Sequence, residues 1–365
     1  MTDAYEAAGV DYDVLDAGKR LALSQAAATS KLLLEHGGRA FDASRGEPAF
    51  VFSFENSTFA FVLECLGTKS VIARRYEEET GEQRYGDVAY DTVAAIVNDL
   101  CCVGALPLVV NAYFSTGSSK WYADEKRLAS LVEGWRRGCE DAGATWGGGE
   151  SPTLSGLVSE DDIELAGSAV GYVPEGRAPI LGDELAAGDD IVLVSSSGLH
   201  ANGASLVRSI ADSLPTGLRT TLPSGRTLGD ATLDASVSYV RLVRALLSSD
   251  VTVTYLSHIT GHGIRKVMRA AKSLTYVLET LPEVPEVLSF MVDTIEMDAR
   301  DAYGTLNMGA GFAVFCRSGQ GPAVVDSAAS VGLSALVAGH VEEGSRSVVL
   351  RPFDVTYGAD ELSLR

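Results

Sequence analysis

The sequence predicts two units in tandem, each of mixed α/β or α+β type, and three observations carry that prediction. The chain has 365 residues, more than one typical core holds. Helical and strand periods alternate through both halves. Between the halves, "PEGRAPILGDELAAGDD" (174–190) breaks into proline, glycine and charge, as a boundary between two cores does. The expected domains are residues 1–174 and 175–365.

Element by element, "AGKRLALSQAAATSKLLLEH" (17–36) predicts a helix rich in Ala and Leu, stopped by Gly37 and Gly38. "AFVFSFENSTFAFVLE" (49–64) predicts two strands around an Asn-Ser turn. "DTVAAIVNDLCCVGA" (91–105) has helical spacing and ends at Gly104, after which "LPLVVNAYFS" predicts a strand. A helix over 124–142 leads into a glycine loop, "WGGGESP", and 163–173 predicts a strand. Beyond the boundary, "IVLVSSSGLHANGASLVRSIADSL" predicts a strand, a glycine loop and a helix. Further strands are expected at 251–257, 274–278, 311–316 and 334–341, with a helix around 264–271. No low-complexity tract or exact repeat interrupts this order.

Composition excludes several classes of function. A hydrophobic share of 46% against 21% charged residues predicts a soluble globular protein with sizeable cores. A formal net charge of −20 repels nucleic acid and anionic membranes, so neither is an expected partner. An anionic ligand would need local cations, from Lys, Arg or a metal. The acidic start lacks a basic-then-apolar signal pattern and no run of eighteen apolar residues occurs, so a cytoplasmic location is expected. Cys65, Cys101, Cys102, Cys139 and Cys316 form no CxxC pair, and their apolar surroundings predict buried thiols rather than a zinc site or a nucleophile.

Four polar clusters beside glycines are the candidates for chemistry: "ECLGTKS" (64–70), "VNDL" (97–100), "GGGES" (147–151) and "SSSGLHANG" (195–203). The first three supply Glu64, Asp99 and Glu150, and the first adds Lys69. Such a set suits magnesium and nucleotide, because Mg²⁺ takes carboxylate and phosphate oxygens while bare glycine backbone turns N–H groups toward phosphate. Each cluster also has a plain structural alternative. "LGTKS" departs from the P-loop pattern and suits an ordinary turn, Asp99 a solvated or capping side chain, Glu150 a turn before Ser-Pro, and Asn202 a helix cap. His258 and His262 in "SHITGHG" have metal-like spacing, but Thr260, Gly261 and Gly263 argue for a loop.

Taken in order, these stretches resemble the phosphoribosylformylglycinamidine cyclo-ligase (aminoimidazole ribonucleotide synthetase) family. "YEAAGVDYD" is similar to that family's Y-x-x-AGVD-x-D start, "GTKS" to the end of its DGVGTK loop, and "VNDLCCVGALPL" to VNDL-x-x-x-GA-x-P-L. "GGGESP" is similar to GGET, "SSSGLHANGASLVR" to SSG-x-HSNG-x-SLVR, "SHITGHG" to H-x-TGGG, and "YGTLNMGAGFAV" to Y-x-TFN-x-G-x-G. Three features depart from the pattern. Glu64, Cys65 and Leu66 replace the start of DGVG, "GGRAFDASRGEP" stands where GGFGG is usual, and His262 replaces a glycine.

The resemblance implies an N-terminal ATP-binding α/β domain whose sheet pairs with a second subunit's to form a homodimer, followed by a C-terminal α+β domain. It implies phosphorylation of the formyl amide oxygen of a ribonucleotide by ATP and Mg²⁺, and ring closure as an internal nitrogen displaces phosphate. It implies metal ligation by Glu64, Asp99 and Glu150. Gly67, Thr68, Lys69, Asn98, Asp99, Gly148, Gly149 and Glu150 are implied for ATP, and His200, Asn202, Gly203, Thr260 and Gly261 for substrate. Lys69 and His200 are the expected catalytic pair, with Lys69 on the transferred phosphoryl. Two rivals stand beside this reading: a related ATP-dependent phosphorylating enzyme with another small-molecule acceptor, and a catalytically silent nucleotide-binding relative.

Overall fold

The computed structural model describes residues 12–362, so the opening motif over 5–13 lies, but for its last two residues, outside the described residues. Two helices come first, α1 (Tyr12–Ala28) and α2 (Ser30–Glu35). The first sheet is built from β1 (Gly38–Ala40), β2 (Phe50–Phe54), β3 (Ser57–Cys65), β4 (Leu106–Thr116), β5 (Thr145–Glu150) and β6 (Ile163–Tyr172). Its order is β1-β2-β3-β6-β4-β5, antiparallel except where β5 runs parallel to β4 at the edge. Three helices accompany it: α3 (Lys69–Thr80), α4 (Tyr85–Cys101) and α5 (Glu125–Ala142).

Local chemistry explains these elements. Asp124 caps α5 by accepting from the N–H groups of Lys126 and Arg127 at 3.0 Å each. Helices α4 and α5 approach so closely that a Cβ on Gly134 would lie 1.9 Å from the Gly86 carbonyl oxygen, which only glycine avoids. In β3, Ala60 and Val62 are buried on the helix-covered face, while Phe61 and Leu63 point the other way and are 43% and 69% exposed. Period-two alternation puts Glu64 on the helix-covered face, toward α4.

The second sheet contains β7 (Asp190–Ser195), β8 (Val253–His258), β9 (Leu274–Leu278), β10 (Ala310–Cys316), β11 (Ala335–Glu343), β12 (Ser347–Leu350) and β13 (Val355–Gly358). The order is β13-β12-β9-β11-β7-β10-β8, and only β12 and β9 pair in parallel. All seven residues of β10 are buried, as an interior strand covered on both faces requires. The helices of this half are α6 (Ala204–Ser213), α7 (Leu228–Thr232), α8 (Val240–Leu247), α9 (Glu286–Thr294), α10 (Ala299–Thr305) and α11 (Gly321–Ser330). Among the described residues no helix is long and apolar enough to cross a membrane.

Several expectations are corrected. The helix over 17–36 is two helices broken at Thr29. The hairpin turns at Glu55-Asn56, one residue before the expected pair, because Glu55 takes the left-handed conformation (φ 51°) and Phe54 pairs with Ser57. The presumed loop Gly147–Gly149 is instead part of β5, held by parallel pairing to β4. Lys69 opens helix α3 rather than sitting in a loop, and 264–271 is covered by a short 3₁₀ helix, Gly263–Met268. Four of the cysteines are buried, but Cys65 is exposed because it falls on the uncovered face of β3.

Candidate active site

A cavity of ≈ 1090 Å³ opens between the two halves. Its walls are the Gly46–Pro48 turn, the end of β3 with Gly67, the α4 face carrying Ala95 and Asp99, and Ala201 and Asn202 after β7. The loop from His258 to His262, with Lys266 and Arg269 beyond it, closes the far side, and α1 contributes Ala22, Leu23 and Ala26. The volume exceeds that of most single small-molecule pockets and suits two ligands side by side.

Acids and bases meet at one wall. Asp99 accepts from His258 Nδ1 at 2.6 Å, a contact between α4 and β8 that spans 159 residues of sequence. Burial pushes the Asp99 carboxyl up, but the His258 hydrogen bond and the charges of Lys266 and Arg269 outweigh it and hold Asp99 below the usual range. Glu64 faces Asp99, and burial followed by Asp99's charge and hydrogen bond pushes it up to about 7. Lys266 donates to Thr260 Oγ1 at 3.0 Å; burial and the neighbouring Arg269 push its ammonium down to about 8. Arg269 donates to the Gly46 carbonyl at 2.8 and 3.2 Å and lies 3.7 Å from Glu47, whose carboxylate also accepts from Tyr255.

Of the expected site residues, Glu64, Gly67, Asp99, Asn202, Thr260 and Gly261 all line this cavity. Thr68 lies just behind, its hydroxyl 3.3 Å from that of Ser205, and Gly203 caps the start of α6. Others are elsewhere. Lys69 is fully buried; its ammonium is paired with Asp91 and donates to the His200 carbonyl at 2.9 Å. It therefore presents no free charge to the cavity, and the expected contact with a transferred phosphoryl is not the one its ammonium makes. Its expected place among the ATP ligands falls with that contact, because the same burial keeps it from any ligand in the cavity.

His200 is likewise an internal anchor. Its Nε2 accepts from the N–H groups of Ser197 and Val237 at 3.1 and 3.4 Å, and Nδ1 has no partner among the described residues. Burial, then the charges of His258 and Lys69, pushes the ring down to about 3, so it is neutral at physiological pH. The ring is buried behind the loop and does not stand on the cavity wall, so the expected catalytic and substrate contacts are not ones this arrangement makes. Asn98 likewise does not line the cavity, donating to the Val237 carbonyl and accepting from the Tyr239 N–H, both at 2.8 Å.

Glu150 does not join the other two acids within one chain. Glu64 pairs with Gly167, Gly167 with Ala112, and Ala112 with Gly149. Three strand spacings separate the ends of that row, or ~14 Å. Glu150 and its glycines Gly148 and Gly149 are exposed on the outer edge instead. Accordingly, among the described residues no three His, Cys, Asp or Glu stand grouped for a metal. Two facing carboxylates nevertheless suit Mg²⁺, which commonly takes one or two protein acids and completes its shell with phosphate and water. Burial first, and the neighbouring Asp99 charge second, raise the Glu64 carboxyl, and a bound cation would favour its ionised form.

Sequence reasoning weighed His258 only for its spacing to His262 and passed over Lys266 and Arg269. Their signal was the basic run "GIRKVMR" after the Thr-Gly loop in an otherwise acidic chain, but which of its cations turns inward is decided by the 3₁₀ winding of Gly263–Met268.

Two family models match the chain: "AIR synthase related protein, N-terminal domain" over residues 46–173 and "AIR synthase related protein, C-terminal domain" over 186–351. A phosphoribosylformylglycinamidine cyclo-ligase of Clostridium kluyveri is 31% identical over 331 residues, covering 88% of this chain and 95% of that protein. Its counterpart in Oceanobacillus iheyensis is 32% identical over 323 residues, covering 86% and 89%. Among solved structures, a HypE–HypF complex aligns with a TM-score of 0.61 at 16% identity, covering 87% of this chain and 93% of that one. The hydrogenase maturation protein HypE in complex with ATP aligns at 0.59 and 16% identity, covering 82% and 83%. These structural likenesses establish the two-part fold.

Proposed function

The chain belongs to the phosphoribosylformylglycinamidine cyclo-ligase family, and from that premise we propose that it converts formylglycinamidine ribonucleotide to aminoimidazole ribonucleotide at the expense of ATP. It is an ATP-dependent ligase that forms a C–N bond in purine synthesis. The formyl amide oxygen attacks the terminal phosphorus of ATP, releasing ADP. An internal amine nitrogen then attacks the activated carbon, inorganic phosphate leaves, and loss of a proton closes the imidazole.

The observation that carries this reading is the convergence of Glu64, Gly67, Asp99, Asn202, Thr260 and Gly261, four separate stretches of sequence, on one cavity of ≈ 1090 Å³. In this reading Glu64 and Asp99 hold Mg²⁺, which neutralises phosphate charge when bound. Gly67 and Thr68 offer backbone N–H groups to phosphate. Asp99 fixes the His258 ring, and Asn202, Thr260 and Gly261 form the substrate wall. The same reading places the reaction in the cytoplasm.

The same reading makes the protein a homodimer through its first sheet. Phe54, Phe61, Leu63, Leu108 and Tyr172 are all exposed on that sheet, and grouped exposed apolar side chains mark interaction surfaces. Glu150, on the sheet's outer edge, would reach a metal only from a second copy.

The test is ADP release with Mg²⁺, with and without formylglycinamidine ribonucleotide, with the imidazole product followed in parallel. ADP and product should appear together and only with the ribonucleotide. ATP binding without turnover would instead identify a silent relative. One observation favours a second reading: His262, replacing a glycine of the family motif, lines the cavity, which would suit a different phosphoryl acceptor.

A further inference from the structure

An acidic chain that binds phosphate must supply its positive charge locally, and among the described residues the cavity wall carries two cations, Lys266 and Arg269. They are differently committed. Arg269 spends Nε and Nη2 on the Gly46 carbonyl and lies beside Glu47, so it fastens the Gly46–Pro48 turn. Lys266 makes one side-chain hydrogen bond, to Thr260 Oγ1 at 3.0 Å. An ammonium has three N–H donors. Its backbone is held as well, because Ser257 Oγ donates to the Lys266 carbonyl at 2.8 Å. A fixed stem thus presents a cationic head with donors to spare, in the cavity that Gly67 also lines and within reach of the charges of Glu64 and Asp99.

We propose that Lys266 is a catalytic residue that meets the phosphoryl oxygens of the ligand in this cavity, with Thr260 aiming its ammonium. The role left open by the burial of Lys69 is filled from the second half of the chain. This proposal rests on the reading of the protein as an ATP-using ligase. Its chemistry is that of a compact point charge against a phosphate oxyanion. Two sources present that oxyanion, the terminal phosphoryl of ATP and the 5′-phosphate of the ribonucleotide. The lowered ammonium, about 8, is still charged at neutral pH and is relieved by an incoming anion.

The test compares wild type with Lys266→Met and Lys266→Arg, measuring affinity for ATP and for formylglycinamidine ribonucleotide separately by calorimetry, and ADP formation in a single turnover. Lys266→Met should lose at least about tenfold in affinity for the ligand whose phosphate it meets, or roughly 10²-fold in phosphoryl transfer, with Lys266→Arg recovering part of the loss. Loss on the ATP side identifies the transferred phosphoryl, and loss on the ribonucleotide side the 5′-phosphate. Wild-type affinity for both ligands and wild-type turnover in a folded Lys266→Met protein overturns the proposal. Should Lys266→Met fail to fold, Lys266→Arg decides alone: the longer, planar head must alter ATP affinity, ribonucleotide affinity or the transfer rate, and unchanged values overturn the proposal. If wild type binds ATP but never turns over the ribonucleotide, the functional reading fails by itself. The ATP affinity of Lys266→Met then decides this proposal.

Discussion

Lys69 and Asp91 place opposite charges where water does not reach, and each is also fastened across the boundary: Lys69 donates to the His200 carbonyl, and Asp91 accepts from the Ser236 N–H at 2.6 Å. Removing one partner strands the other, at a cost of about 3–5 kcal/mol. Lys69→Met should therefore lower the urea midpoint sharply, while Lys69→Met with Asp91→Leu recovers much of the loss. A Lys69→Met protein of wild-type stability would return Lys69 to a role in the cavity. His200 gives a second prediction. Its folded-state value, about 3, lies below the ordinary 6.5, so its contribution is intact above pH 6.5 and drains away as pH falls toward 3. The slope is about 1.4 kcal/mol per pH unit in that window. His200→Asn, which keeps an acceptor but no titration, should show a flatter loss of unfolding free energy between pH 6.5 and 4, and parallel curves would refute the neutral, buried ring.

Helix α4 is the element that joins the two halves. Asp91, Asn98 and Asp99 share one face, at i, i+7 and i+8, and grip Ser236, Val237 with Tyr239, and His258 in turn. Tyr239 then stacks on Phe312 at 5.0 Å and donates to the Ser195 carbonyl at 2.9 Å, so the grip of one helix fixes the floor behind His258. Asn98→Ala leaves the Val237 carbonyl and Tyr239 N–H without their partners, costing about 1–3 kcal/mol for each stranded group. Amide exchange at Tyr239 should accelerate in step with the lost stability; unchanged protection there would show that another contact holds the segment. This level also explains what the sequence made legible. Strands β3, β4, β6 and β9 and helix α5 declare themselves through local period and caps, as do Gly67, Asn202 and Gly261 through their turns. The fate of Lys69, the strand state of Gly147–Gly149 and the inward turn of Lys266 depend on residues far away in sequence, which no local period encodes.

For the whole molecule, the first sheet poses an energetic problem that the described residues leave unsolved. Helices cover one face, while the other exposes Phe54, Phe61, Leu63, Leu108 and Tyr172. Burying a side chain of the Phe or Leu kind is worth about 1.5–3 kcal/mol, and a two-fold axis counts every such residue twice. Among the described residues that face keeps these apolar side chains exposed, and a second copy of the chain is the proposed partner for it. The site is tied to this face, because Leu63 and Cys65 on the open side of β3 also line the cavity. Pairing should close that part of the wall, so assembly and catalysis are expected to fail together. Phe61→Asp with Leu63→Asp places two charges per subunit in the contact without touching the covered core. Light scattering at micromolar concentration should give a dimer for wild type and a folded monomer for the double variant, with ADP formation lost alongside. A fully active monomer would separate the cavity from the sheet face, and a wild-type monomer would remove the dimer altogether.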